Sequence, residues 1–162
     1  MVLNVKIHGC SYSGKLTSIV AKFDDNGKLL NPRSLAQTSM IGWGKWQQAH
    51  KVKCKFGDCW WVSTAGHGGY VLVTQTPLPF DFPTELSNTT PDSTFYVYQF
   101  EEDCNWAVLE YFDEGVYNPK EKALSTFDRF LSKEQRRQCV EQTMIRWNPS
   151  LYSAKQKKEI IQ

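Results

Sequence analysis

The hydrophobic period of this chain changes once, and that change restricts its possible folds more than any other feature. Up to about residue 100, apolar residues come in short alternating runs broken by turn formers; past residue 118 they recur every three or four positions. Leu3, Val5 and Ile7 alternate with Asn4 and Lys6, as a half-buried strand requires. Residues 16–23 make a second strand, and Asp25-Asn26-Gly27 after it suits a tight bend. Further strands are expected over about 51–63 and 69–75, connected through Gly66, Gly68 and Gly69, which reach positive φ at little cost. Pro77, Pro79, Pro83 and Pro91 mark 76–94 as a long surface loop, and Thr94–Phe100 returns to strand.

The C-terminal third reads as helix. Asn118-Pro119-Lys120-Glu121 supplies an N-cap, a proline in the first turn and an early acid, after which Ala123, Leu124, Phe127, Phe130 and Leu131 recur at helical spacing. Ser132 caps a second helix with the stripe Cys139, Val140, Thr143, Met144 and Trp147, ending before Asn148-Pro149. Two helices packed on an antiparallel sheet predict an α+β domain over 1–150, with 151–162 a short basic tail or frayed helix.

A chain of 162 residues buries about two-thirds of its unfolded surface and needs no disulfide to fold. Five irregularly spaced cysteines without a secretory leader point to reduced thiols and the cytoplasm. No apolar run nears the roughly 20 residues of a membrane span. Charge is strongly segregated: residues 1–55 carry +7, 56–119 carry −10 without one Lys or Arg, and 120–162 carry +5. Either the acidic middle pairs internally with the basic ends, or it forms one acidic face able to meet a basic partner.

Several motifs bear on chemistry. Gly9–Leu16 nearly spells a phosphate-binding loop, but Leu16 stands where the magnesium-binding hydroxyl belongs, and a hairpin explains the glycines. Cys54 and Cys59, with His50 and His67, have some of the residue types of a zinc site; thiols packed on a strand are the simpler account. No metal site and no cofactor is expected. Trp43 and Trp46 interleave with Lys45, Lys51, Lys53 and Lys55, the mixture of stacking faces and cations that binds single-stranded nucleic acid, or an aromatic core anchor beside solvated lysines.

The densest constellation joins Ser63, Thr64 and His67 to Glu101, Glu102, Asp103, Cys104 and Asn105. An imidazole beside a carboxylate makes an acid–base pair, a nearby thiolate an activated nucleophile, and three carboxylates with histidine a divalent-ion site. Consecutive acids also stand at solvated strand ends and helix starts.

The blocks Trp43-Gly44, Ser63-Thr64-Ala65-Gly66-His67-Gly68-Gly69 and Glu101-Glu102-Asp103-Cys104-Asn105-Trp106-Ala107 resemble an uncharacterised domain family of bacteriophage and plasmid proteins, including very large polyvalent ones. The likeness spans about residues 41–112. It brings no reaction with it, but implies a mobile-element origin, where small proteins often disable host defence systems. The first expectation is therefore a cytoplasmic phage- or plasmid-type protein that binds a host macromolecule, an inhibitor of a bacterial defence complex. Trp60, Trp61, Tyr96 and Tyr98 would anchor the contact, and Glu101, Glu102 and Asp103 would steer it. The second is a hydrolase or transferase using His67 with Cys104, or with an ion on Asp103 and Glu102. The third is a nucleic-acid-binding module built on Trp43–Lys55 and the basic C-terminus.

Overall fold

The computed structural model describes residues 3–10, 16–38, 43–118 and 131–162. Strands β1 (Leu3–Cys10) and β2 (Leu16–Phe23) pair antiparallel, with Leu3 opposite Phe23 and Cys10 opposite Leu16. The second half of the near-miss phosphate loop thus leads into a strand, not the helix such a loop requires; residues 11–15 lie outside the described residues. After β2 the chain turns at Gly27, φ 76°, and Leu29 bridges back to Phe23. Helix α1 (Pro32–Thr38) follows.

A five-stranded antiparallel sheet dominates the molecule. Its strands are β3 (Gln48–Val52), β4 (Asp58–Ser63), β5 (Gly68–Thr74), β6 (Leu86–Thr89) and β7 (Thr94–Glu101), in the order β3-β4-β5-β7-β6. The expected single strand over 51–63 is a hairpin, because the chain reverses at residues 53–57. The expected loop over 76–94 contains β6, where four residues clear of its prolines pair with β7, Leu86 opposite Val97.

All seven residues of central β5 are buried, so both faces of the sheet must be covered. One face presents Trp60, Val62, Val71, Val73, Phe95 and Val97 to Ala21, Phe23, Leu29, Leu35 and Ala36 of the N-terminal layer. The other presents Cys59, Trp61, Tyr70, Leu72, Tyr98 and Phe100 to the C-terminal helices. Each such side chain contributes about 1.5–3 kcal/mol on burial, which makes the aromatic-rich strands the main source of stability.

Helices α2 (Trp106–Phe112), α3 (Lys133–Trp147) and α4 (Ala154–Ile161) cover that second face. The architecture is therefore α+β, as its periodicity predicts. In α3 the expected Ser132 cap is a full capping box with Gln135, and Val140 and Met144 face the core. Trp147, expected on the same stripe, is 55% exposed, since the core ends one turn earlier. The helix expected over 119–130 lies outside the described residues. The 151–162 segment contains α4, capped by Ser153 and fastened by Tyr111, whose hydroxyl donates to the Ser153 carbonyl at 2.9 Å. No described helix is long and apolar enough to cross a membrane.

Candidate functional site

Three separated stretches meet at one end of the β5–β7 pair. Between β4 and β5 the chain reverses in a tight connection closed by Thr64: its N–H and hydroxyl both donate to the His67 carbonyl, at 2.7 and 3.0 Å, and the His67 N–H donates to the Thr64 hydroxyl at 3.1 Å. Thr64 is buried, so this polar clasp is rigid, and it projects the His67 ring outward.

The register then sets what the ring meets. Gly69 pairs with Glu101, and the Glu102 N–H donates to the Gly68 carbonyl at 2.8 Å, which brings the end of β7 alongside the His67 turn. Nδ1 of His67 lies 3.2 Å from Oε1 of Glu101; the side chains are 45% and 31% exposed, so water and ligands reach them. Glu102 lies on Gly68, where a Cβ would come within 2.7 Å of its Oε2.

Trp43 completes the arrangement. Gly69 has φ 143°, and a Cβ there would strike the Phe100 carbonyl and come within 3.0 Å of Cη2 of Trp43. The missing side chain makes room for the indole, which closes the sheet next to the Glu101 position. Trp43, Gly69 and Glu101 belong to the three sequence blocks read above, and sequence inspection missed this contact between them. The signal was there: a Gly-Gly pair entering a buried strand marks a close approach.

Burial, then the charges of Asp103 and Glu101, hold the Glu102 carboxyl above the ordinary carboxylate value, and His67 partly offsets this. A folded-state pKa above the unfolded one contributes stability in acid and loses it as pH rises through the folded value. Glu102→Gln is therefore expected to raise the melting temperature at about pH 7 by roughly 1–2 °C, with the gain vanishing toward about pH 4. Thermal melts across that range check it, and a lower melting temperature at neutral pH contradicts it.

Burial and the neighbouring Glu101 and Asp103 charges push the Cys104 thiol up, away from thiolate. Asp103 is exposed in the turn after β7. Among the described residues no three His, Cys, Asp or Glu side chains converge as metal ligands. Cys59 is instead a core residue, its thiol raised by burial and by Cys54.

The expected aromatic anchors need correction. Trp60, Trp61 and Tyr98 are buried, at 2%, 8% and 2% exposure, because a two-sided sheet turns both faces of its strands inward. Tyr96 is half-buried, its hydroxyl accepting from Thr89 at 3.2 Å, and it sits five residues, or roughly 17 Å, along β7 from Glu101. In the nucleic-acid stretch, Trp43 and Trp46 are partly buried against the core, Trp46 with its ring centroid 6.4 Å from that of Trp60. Lys51 pairs with Asp58 at 3.0 Å, Lys55 lies over Phe56, and Lys45 and Lys53 are exposed.

Sequence reasoning missed a buried polar triad. On α2, Glu110 receives Arg136 of α3 in a two-pronged ion pair, 2.7 Å at each prong, and accepts from the Tyr70 hydroxyl of β5 at 2.8 Å. Burial and the Glu110 charge hold the Tyr70 phenol well above its usual range, so it remains a donor.

No curated protein and no solved structure matches the chain. A family model described as a domain of unknown function, DUF7007, matches residues 36–162, which takes in all three blocks, the whole five-stranded sheet and α2 to α4. The chain belongs to the DUF7007 family.

Proposed function

We propose that this is a macromolecule-binding protein whose acidic edge, Glu101, Glu102 and Asp103, receives a basic surface of its partner. One observation carries this reading: of the ten acids of the 56–119 stretch, three are consecutive and lack a Lys or Arg partner among the described residues, whereas Asp81, Glu85 and Asp92, equally without an ion pair there, are dispersed along the chain. Asp58, Glu110 and Glu114 pair with Lys51, Arg136, Arg137 and Lys157 from the basic ends of the chain, while Asp113 accepts the Lys55 N–H. For Glu101, Glu102 and Asp103, the ion-pair partner offered by the described residues is His67 alone. This run of three acids, without a Lys or Arg partner among the described residues, stands at a rigid, exposed turn, and a cationic partner would relieve its mutual repulsion. The motif blocks suggest a phage- or plasmid-borne protein in a bacterial cytoplasm, and an inhibitor of a defence complex as the role.

Capture of partners from bacterial lysate, followed by calorimetry on the partner identified, tests this. Reversing all three charges with lysine is expected to weaken binding by roughly 100-fold or more, and wild-type affinity should fall steeply with salt. Unchanged binding by the reversed protein overturns the reading.

A second reading has its own observation. The contact from Nδ1 of His67 to Glu101 leaves Nε2 on the far side of the ring, the arrangement of a general acid–base pair in a hydrolase or transferase. His67→Ala separates the two: a binding protein keeps most of its partner affinity, whereas an enzyme loses its biological activity while melting normally.

A further inference from the structure

The helical side carries a second site, independent of the acidic edge. Two neighbouring cavities of about 170 and 160 Å³ lie against α3, between the 3-10 turn at Glu114–Val116 and α4, and share Glu110, Glu114, Arg137 and Val140. The first is cationic, with Lys133 and Arg136 in its wall beside Tyr117. The second is aromatic, with Tyr111 and Tyr152 beside Ala154. Both are lined by the Glu114–Arg137 ion pair, 3.1 Å long, with side chains 48% and 51% exposed. Exposed ion pairs exchange partners at small cost. Each cavity alone falls below the roughly 300–1,000 Å³ of small-molecule sites, and joined they reach the lower bound.

The lining specifies the ligand. Arg136 is committed to Glu110, Lys133 has no ion-pair partner among the described residues, and Arg137 lines both cavities, held by Glu114 and, at 2.8 Å, by the exposed Glu134. Glu114 keeps a second cation, Lys157 at 3.2 Å, when Arg137 leaves it. Along α3, Lys133 and Glu141 are separated by roughly 12 Å, the length of a nucleoside monophosphate. We propose that this cleft binds a small aromatic anion of that size. Its ring would lie against Tyr111 and Tyr152, and its phosphate or carboxylate would take Arg137 from Glu114 and add Lys133.

Calorimetry and amide NMR titration of the full chain with AMP, adenosine, inorganic phosphate and benzoate test it. AMP is expected to saturate with shifts confined to α3, α4 and the 114–116 turn, and adenosine or phosphate alone to bind at least tenfold more weakly. Arg137→Gln should weaken AMP at least tenfold, while Glu114→Gln, which removes one of the two carboxylates on the same guanidinium and leaves the exposed Glu134, should tighten it several-fold. Unfolding cannot produce opposite signs at two exposed positions. Saturation by benzoate in place of AMP assigns the cleft to carboxylates. No saturation by any of the four at about 10 mM in wild type and Glu114→Gln, or AMP binding that Arg137→Gln leaves unchanged, overturns the proposal.

Discussion

Arg136→Leu is expected to cost about 3–5 kcal/mol, a large share of the stability of a chain this size. The guanidinium is 7% exposed and the Glu110 carboxylate 1%, so removing the arginine takes the two-pronged countercharge from a carboxylate that stays buried beside the Tyr70 hydroxyl of β5. Arg136 also stacks over Trp106 at 4.0 Å and Tyr117 at 4.9 Å, and leucine recovers only part of that packing. The melting temperature should drop by roughly 10 °C or more. Charge explains most of this loss, so Glu110→Gln in the Arg136→Leu background should recover part of it: the amide still accepts from Tyr70 and carries no charge to strand. A double variant no more stable than Arg136→Leu alone would assign the loss to packing instead.

That ion pair also positions the candidate site. It locks α2 to α3 and β5, and α2 begins immediately after the turn that carries Glu101 to Asp103. Asn148, at the end of α3, donates to the Cys104 carbonyl at 3.0 Å and fixes the same turn from the other side. A loosened α2 would therefore blur the acidic edge before the sheet itself failed.

The strands were legible where one residue in two is polar, as in β1, and where a capping box announces a helix, as at Ser132. They were harder to delimit where both faces are buried. Val52 and Cys59 belong to opposed strands, yet residues 51–63 read as one run because the alternation from Lys51 to Phe56, with its lysines exposed, runs straight into β4, where both faces are buried and alternation is lost. The same loss hid α2. All seven of its residues are buried, so no polar face betrays a helical period, and the lone Glu110 in WAVLEYF was the visible anomaly. For the site, the approach of His67 to Glu101 could be anticipated from residue types. The inward turn of Trp60, Trp61 and Tyr98 could not, because it depends on which layers cover the sheet. Nor could pairwise charge cancellation be read from segment totals, which do not say that Glu110 finds Arg136 while Glu102 has no Lys or Arg partner among the described residues.

Gly69→Ala should be the most damaging single change in the STAGHGG block, costing at least about 3 kcal/mol, while Gly66→Ala three positions earlier should stay within about 0.5 kcal/mol. Composition does not distinguish the two glycines; surroundings do. Nothing lies within 4 Å of a Cβ at Gly66, whereas at Gly69 the methyl meets the Phe100 carbonyl of the neighbouring strand and the Trp43 indole, from a backbone at φ 143°. A side chain at the far end of a flexible stem could move aside. A carbonyl fixed between paired strands cannot, so β5 and β7 must separate at the register that holds Gly69 opposite Glu101. Chemical denaturation of both variants checks this, and equal costs would show that the block tolerates a methyl at the sheet end. Because the same displacement lifts Trp43 and shifts Glu101 away from His67, the folded fraction of Gly69→Ala should also capture less partner than Gly66→Ala.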